Sequence, residues 1–313
     1  MRTRRLGRDG PEVPVVCLGT WPLGGGMGEL PQKQIIDTVH AALDCGMTFI
    51  DTAEGYRTSE VVLGKALRGR RDRVFLATKI TGDHSPENME RTLAGSLRAL
   101  VTDYIDLYQL HFPQARYRIE DTMDTLLRFR DQGKIRYIGV SNFSAEQHTE
   151  ASRHGHIDSS QPPYNMLLRG AEASILPFCR QAGTGVITHS ALAKGLLTGK
   201  YRPGHRFVPD DERSRMGAFA GDGFATTLAV IDRLKAWAAE RGRTMGALAI
   251  AWVLAHPAVT AAIVGAKTPG QVRRNAEAAD WVLSPEALKE IDTLLGGFGI
   301  DPALFKGPVS AGR

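Results

Sequence analysis

The sequence contains no stretch of about 18 apolar residues, so no segment reads as a membrane-spanning helix. The N-terminus, Met1-Arg2-Thr3-Arg4-Arg5, is basic, but no apolar run follows it, and no signal peptide is expected. Cysteine is scarce: Cys17, Cys45 and Cys179 are all there are. They are widely spaced and form no CxxC, which fits reduced, buried thiols in a cytoplasmic protein. Neither sign of charge dominates. There are 39 Lys and Arg against 34 Asp and Glu in 313 residues, a net charge of +5. No arm of interleaved cations and aromatics occurs, so nucleic acid is not an expected partner. His154-Gly155-His156 lacks a third ligand at metal spacing, and no metal is expected. Two nucleotide signatures are missing as well. Gly195–Lys200 reads GLLTGK, with its glycines one residue too close for a P-loop and Tyr201 after the lysine. Gly24, Gly25, Gly26 and Gly28 do not make GxGxxG, so no Rossmann domain is indicated.

What is present is alternation. Short apolar or β-branched runs near Val13–Gly19, Thr48–Asp51, Arg73–Lys79, Ile105–Leu110, Arg136–Val140, Ile157–Gln161, Gly185–Ser190 and Ala261–Gly265 read as eight strands. Helical periodicity separates them near Gln32–Cys45, Ser59–Leu67, Pro86–Leu100, Ile119–Gln132, Ala145–Arg153, Glu172–Ala182 and Thr227–Arg241. Ser85-Pro86-Glu87 marks a helix start, and Gly46, Gly133 and Gly183 fall at helix ends. Strands alternating with helices predict a parallel sheet, and eight of them an α/β fold of the (β/α)8 TIM-barrel kind. Gly7-Arg8-Asp9-Gly10 predicts an N-terminal hairpin that plugs one barrel end. Pro285–Leu295 predicts an extra helix after the last strand, followed by a Gly-rich tail. Tyr201–Gly223 is a long loop on the catalytic side. No linker composition divides the chain, so residues 1–313 are expected to form a single domain.

Four polar residues sit at or just past strand ends. Asp51 follows Met47–Ile50, with Tyr56 five residues on; Lys79 ends Arg73–Thr78, and His111 ends Ile105–Leu110. Barrel enzymes place their chemistry at strand C-termini. A free tyrosine has a pKa of about 10 and is a sluggish acid at neutral pH. A neighbouring ammonium lowers that pKa, and a carboxylate keeps the ammonium charged. In this arrangement Tyr56 gives the proton, Lys79 tunes it, Asp51 holds Lys79, and His111 orients an oxygen.

The surrounding sequence is specific. It includes Phe49–Tyr56 followed by Ser59-Glu60, Ala77-Thr78-Lys79, Gln109-Leu110-His111 and Gly139–Phe143. Gln161–Asn165, Gly195–Lys200 and Gly265–Pro269 with Gln271 and Asn275 follow in order. With these motifs the chain resembles the aldo-keto reductase superfamily nearly from end to end. The resemblance implies NADPH/NADP+ as cofactor and a small-molecule carbonyl as substrate, with Tyr56 the general acid. It places Ser141, Asn142 and Gln161 at the nicotinamide carboxamide, and Ser190 and Gly265 among the cofactor contacts. Leu192, Lys194, Gly195 and Leu197 match a segment near the pyrophosphate. Lys267 matches a residue that meets the 2′-phosphate, with Thr268, Gln271 and Asn275 around that phosphate and the adenine. Trp21 and Phe112 shape the substrate mouth, and the Gly24–Gly28 loop reads as mobile or closely approached. Two positions depart from the family pattern. His189 stands where a large aromatic usually stacks under the nicotinamide; it offers less area and can carry charge. Arg274 stands where many relatives have Glu, and either adds a cation to the cofactor site or points to solvent. The same residues serve an NAD(P)-dependent sugar or polyol dehydrogenase working oxidatively, and a cofactor-binding redox sensor is a third reading. Oligomeric state is not legible.

Overall fold

Period-two alternation along short strands builds the interior of this molecule. The computed structural model describes residues 1–306. A hairpin of β1 (Thr3–Arg5) and β2 (Glu12–Pro14) comes first. Then come β3 (Val16–Gly19), β4 (Phe49–Asp51), β5 (Phe75–Ile80), β6 (Ile105–Leu110) and β7 (Ile135–Ser141). The last three strands are β8 (Ser159–Gln161), β9 (Gly185–Thr188) and β10 (Val259–Gly265). Strands β3 to β10 are parallel and close into a barrel in chain order, with β10 beside β3. This is the expected (β/α)8 barrel.

Helices α1 (Gln32–Asp44), α2 (Ser59–Ala66), α3 (Pro86–Leu100), α4 (Ile119–Asp131), α5 (Ala145–Ser152) and α6 (Ile175–Ala182) each follow a strand. Between β9 and β10 lie two, α7 (Gly221–Glu240) and α8 (Met245–Ala255). After β10 come α9 (Pro269–Glu277) and α10 (Pro285–Leu295), the latter being the expected extra helix. The end of the Gly-rich tail, residues 307–313, lies outside the described residues.

Sequence periodicity missed α8 and α9. Helix α8 reads MGALAIAWVLA and is buried on nearly every side, so it has no polar face to reveal a helical period. Helix α9 is short, and Thr268 caps it by accepting from the Gln271 N–H. Helix α7 starts at Gly221 rather than Thr227. The predicted helix at Glu172–Ala182 is broken: a 3-10 turn over Gly170–Ala173 precedes α6, and Ser174 between them has φ −140° and ψ −74°.

The barrel interior is graded along its axis. Leu6, Val13, Cys17, Phe49, Ala77, Leu107, Ile187, Ala261 and Ile263 form one apolar cluster. Leu6 and Val13 come from the hairpin, which closes the end where the strands begin; the Arg8 N–H donates to the Gly183 carbonyl there. Two residues further along the strands the inward side chains turn polar: Asp51 after Phe49, Lys79 after Ala77, Gln109 after Leu107. Register holds them level, with Ala77 opposite Asp51, Lys79 opposite Gln109 and Ser141 opposite Gln161. Asp106 fixes that register from outside the barrel. Its carboxylate accepts from the Leu76 N–H at 2.9 Å, Arg71 at 2.7 Å and Arg136 at 2.9 Å, tying three successive strands together.

Candidate active site

The polar interior opens into a cavity of about 1410 Å³ at the C-terminal ends of the strands. Asp51 lines it and forms an ion pair with Lys79, which does not. Lys79 is fully buried and donates to Asp51 Oδ1 at 2.5 Å, to the Thr52 carbonyl at 2.8 Å and to the Tyr56 hydroxyl at 3.3 Å. Burial pulls the ammonium's pKa down, but Asp51 and Tyr56 together raise it above its ordinary value, so Lys79 stays charged. The Tyr56 hydroxyl does not follow the simple expectation. Burial raises its pKa, and Lys79 only partly offsets that, because Asp51 beside it works in the opposite direction. Tyr56 is therefore held as a phenol.

His111 lines the cavity next to Tyr56. Its ring contacts Tyr56 edge-on at 5.6 Å and stacks on Phe112 at 4.6 Å. Nδ1 is 2.8 Å from Thr81 Oγ1. Burial, reinforced by Lys79 and His189, depresses its pKa to about 3, so the ring is neutral. With Thr81 donating to Nδ1, Nε2–H is left as a donor. Trp21 packs edge-on against Tyr56 at 4.9 Å. The Gly-rich loop is closely approached: a Cβ on Gly24 would lie 2.1 Å from the Tyr56 carbonyl, and one on Gly26 2.4 Å from the Trp21 ring.

The remaining expected site residues divide. Ser141, Asn142, Gln161, His189, Ser190, Leu192, Lys194, Gly195, Gly265, Lys267, Gln271, Arg274 and Asn275 line the cavity with Trp21 and Phe112. Leu197 does not; it is fully buried in the core between strands and helices. Thr268 does not either, since its hydroxyl caps α9. Arg274 is exposed on the cavity's rim. Lys267 donates to the Met27 carbonyl, joining the α9 turn to the Gly-rich loop.

His189 is neutral rather than charged. Burial, with Lys79 and Lys194 adding repulsion, depresses its pKa to about 3. Its neighbours fix the tautomer. The Asn142 amide donates to the His111 carbonyl and Ser141 Oγ, each at 3.0 Å, which leaves Asn142 Oδ1 to accept from His189 Nε2 at 3.0 Å. His189 Nδ1 then accepts from Ser190 Oγ at 2.9 Å. Asn142 is thus committed within the protein, and its φ of +62° belongs to the same tight turn.

Several residues in or beside the cavity were not among the expected site residues. Glu212 Oε1 accepts from both Trp21 Nε1 and Lys194 Nζ at 2.8 Å. Arg213 pairs with Asp211 at 2.5 Å and donates to the Tyr201 hydroxyl at 2.7 Å. Lys200 lines the same wall, and burial next to Arg213 and Lys267 lowers its pKa. These residues lie in or beside the long loop, whose length was legible but whose contacts depend on where it folds back. Gln109 lay in a quoted motif, but its inward direction, like that of Thr81 towards His111, was findable only from strand alternation and register.

The buried histidines give a stability prediction. His84 and His148 are displaced by burial to about 4, and His111 and His189 to about 3. In the unfolded chain each binds a proton near pH 6.5. A depressed folded-state pKa means that the unfolded chain binds more protons below that pH. Stability is therefore full above about pH 6.5 and falls as the pH drops towards 4, by up to roughly 1.4 kcal/mol per pH unit for each group. Urea midpoints measured from pH 7.5 to 5 should fall steadily, and a flat profile would show that these rings protonate freely in the fold.

Comparison with known proteins places the chain among its relatives. The chain is 38% identical to an aldo-keto reductase (YhdN) of Bacillus subtilis, over 96% of each chain. It is 36% identical to an NADH-specific methylglyoxal reductase of Escherichia coli, covering 91% of this chain and 95% of that protein. Among solved structures, a glycerol dehydrogenase from Gluconobacter oxydans superposes with a TM-score of 0.86 at 35% identity, covering 96% of this chain and 97% of that one. The Aldo/keto reductase family model matches residues 15–295, and the chain belongs to that family of oxidoreductases.

Proposed function

We propose that this chain is a cytoplasmic, single-domain, NADPH-dependent oxidoreductase that reduces an aldehyde or ketone to the alcohol. The observation that carries the reading is the Asp51–Lys79–Tyr56 chain, a buried ion pair ending on a phenol that faces a large cavity beside a neutral His111. The cavity suits a phosphorylated dinucleotide. Lys200, Arg213 and Lys267 gather on one wall, and Lys267 immediately precedes the cap of α9, whose N-terminal amides add positive potential. At the other end Gln161 offers an acceptor suited to a carboxamide. A bound nicotinamide supplies or accepts the hydride.

The protein's own part is proton transfer and orientation. His111 Nε2–H hydrogen-bonds the substrate oxygen and sets its angle. Tyr56 gives its proton to that oxygen as negative charge develops there, and Lys79 stabilises the phenolate left behind. The raised Tyr56 pKa keeps the group a phenol, the form reduction uses, but makes it a weaker acid, so the charge of Lys79 beside the developing phenolate carries the transfer. Among the described residues no helix is long and apolar enough to cross a membrane.

The test is NADPH consumption with a reactive aromatic aldehyde. The similarity to a glycerol dehydrogenase structure gives the oxidative reading, in which Tyr56 takes the proton from an alcohol. Production of NADPH from glycerol with no measurable aldehyde reduction would favour it.

Coenzyme choice is a separate measurement, because one relative is named NADH-specific. With Lys267 at the 2′-phosphate, Lys267→Met should narrow the preference for NADPH over NADH by roughly 1–3 kcal/mol, the worth of a charge-assisted hydrogen bond. An unchanged ratio of kcat/KM values would remove Lys267 from that role.

A further inference from the structure

We propose that Asp51 does more than hold Lys79. Acting with Gln109, it fixes the polarity of the Gln161 amide, so that the cavity demands an N–H donor from the ring substituent of the cofactor. The proposal rests on the reading of the cavity as a nicotinamide site.

The carboxylate serves two directions. Oδ1 takes the Lys79 ammonium, while Oδ2 accepts from Gln109 Nε2 at 3.1 Å and from Gln161 Nε2 at 3.0 Å. Gln161 Nε2 also donates to Gln109 Oε1 at 2.9 Å. All three residues are buried: Asp51 and Gln161 are each 2% exposed and Gln109 is 0%.

An ionised carboxylate only accepts, so each amide facing it must present its NH2 group. That alone orients Gln109, whose oxygen then turns towards Gln161. Gln161 meets an acceptor on both Asp51 and Gln109, and its NH2 is fixed twice. Reversing Gln109 would set its oxygen against the carboxylate and its NH2 against the NH2 of Gln161. Nor can Gln109 swing aside. It packs on Gly139, where an added Cβ would stand 2.8 Å from Gln109 Cγ.

The consequence appears at the cavity. Gln161 lines it, and Oε1, the atom opposite the locked NH2, accepts no hydrogen bond from the described residues. The neighbouring candidates are already committed. Asn142 spends its amide on His111, Ser141 and His189, and Ser141 Oγ donates to the Gln161 carbonyl at 3.0 Å. A pure acceptor recognises a carboxamide through its NH2, and it meets nothing on an acetyl group.

The experiment is calorimetric titration with NADP+ and with its 3-acetylpyridine analogue, which carries a methyl ketone in place of the carboxamide. The wild type should prefer NADP+ by on the order of ten-fold, the penalty for leaving a buried acceptor unpaired. In Asp51→Asn, Lys79 claims the new amide's oxygen, and its NH2 faces the two glutamines. Gln161 is then driven to present its own NH2 to the cavity, and the preference should fall to near one although turnover is lost as well. Gln109→Leu removes one of the two restraints and should give an intermediate ratio; Gln109→Met serves if the leucine variant does not fold. A role in packing alone would weaken both ligands equally. Binding of both ligands with a ratio unchanged in Asp51→Asn overturns the lock. Failure of the wild type to bind either dinucleotide, phosphorylated or not, overturns the nicotinamide reading beneath it.

Discussion

Tyr56→Phe should lose carbonyl reduction almost completely while binding NADPH about as tightly as the wild type. The substitution removes one oxygen and leaves the ring, so the edge-on contacts to Trp21 and His111 survive. What disappears is the hydroxyl 3.3 Å from Lys79, the proposed proton donor. General acid catalysis by a positioned side chain is worth about 10²–10⁴-fold, and turnover at saturating cofactor should fall by that order. Lys79 is fully buried and Asp51 nearly so, and neither can take over from Tyr56. The effect should fall on kcat, since the lost interaction belongs to the transition state. Stopped-flow single turnovers with NADPH prebound would isolate it. Full activity in the variant would remove Tyr56 from the chemistry, and loss of NADPH binding alone would make it structural.

Lys79→Met should damage both stability and rate. Asp51 would stay buried among Gln109 and Gln161 with no cation. Breaking a buried ion pair by removing one partner costs about 3–5 kcal/mol. At the same time the Tyr56 phenolate formed during turnover would lose its stabilising charge, while burial would still oppose it. Turnover should fall as far as in Tyr56→Phe, and the denaturation midpoint should fall too, which Tyr56→Phe should not cause. The two variants thus separate a proton donor from the ion pair that supports it. A Lys79→Met protein with wild-type stability would mean that Asp51 is held by its amide partners alone.

Much of this is legible in the amino-acid sequence. Apolar runs broken by helical period located the barrel strands, because a strand buried on both faces needs nothing else. The four strand-end residues stood out because polar side chains there have no packing reason to exist. Helix α8 was hidden by its own burial, since uniform apolarity erases the periodic signal. His189 showed the limit differently. Its residue type was visible, but its neutrality depends on burial near Lys79 and Lys194, and its tautomer on Ser190 and on Asn142, 47 positions away in sequence. The Tyr56 pKa was misjudged in direction because sequence names its charged neighbours but not the surrounding burial.

The single oxygen of Glu212 that serves both Trp21 and Lys194 has a practical side. A library built at Trp21 to widen the range of accepted molecules would also alter the partner of Lys194. With Trp21 at the substrate and Lys194 at the coenzyme, as the resemblance implies, variants chosen for a new substrate would then carry an altered appetite for coenzyme, and the two traits could not be bred independently while Glu212 remained. Randomising residues 21, 194 and 212 together, rather than one by one, is the way to search that space.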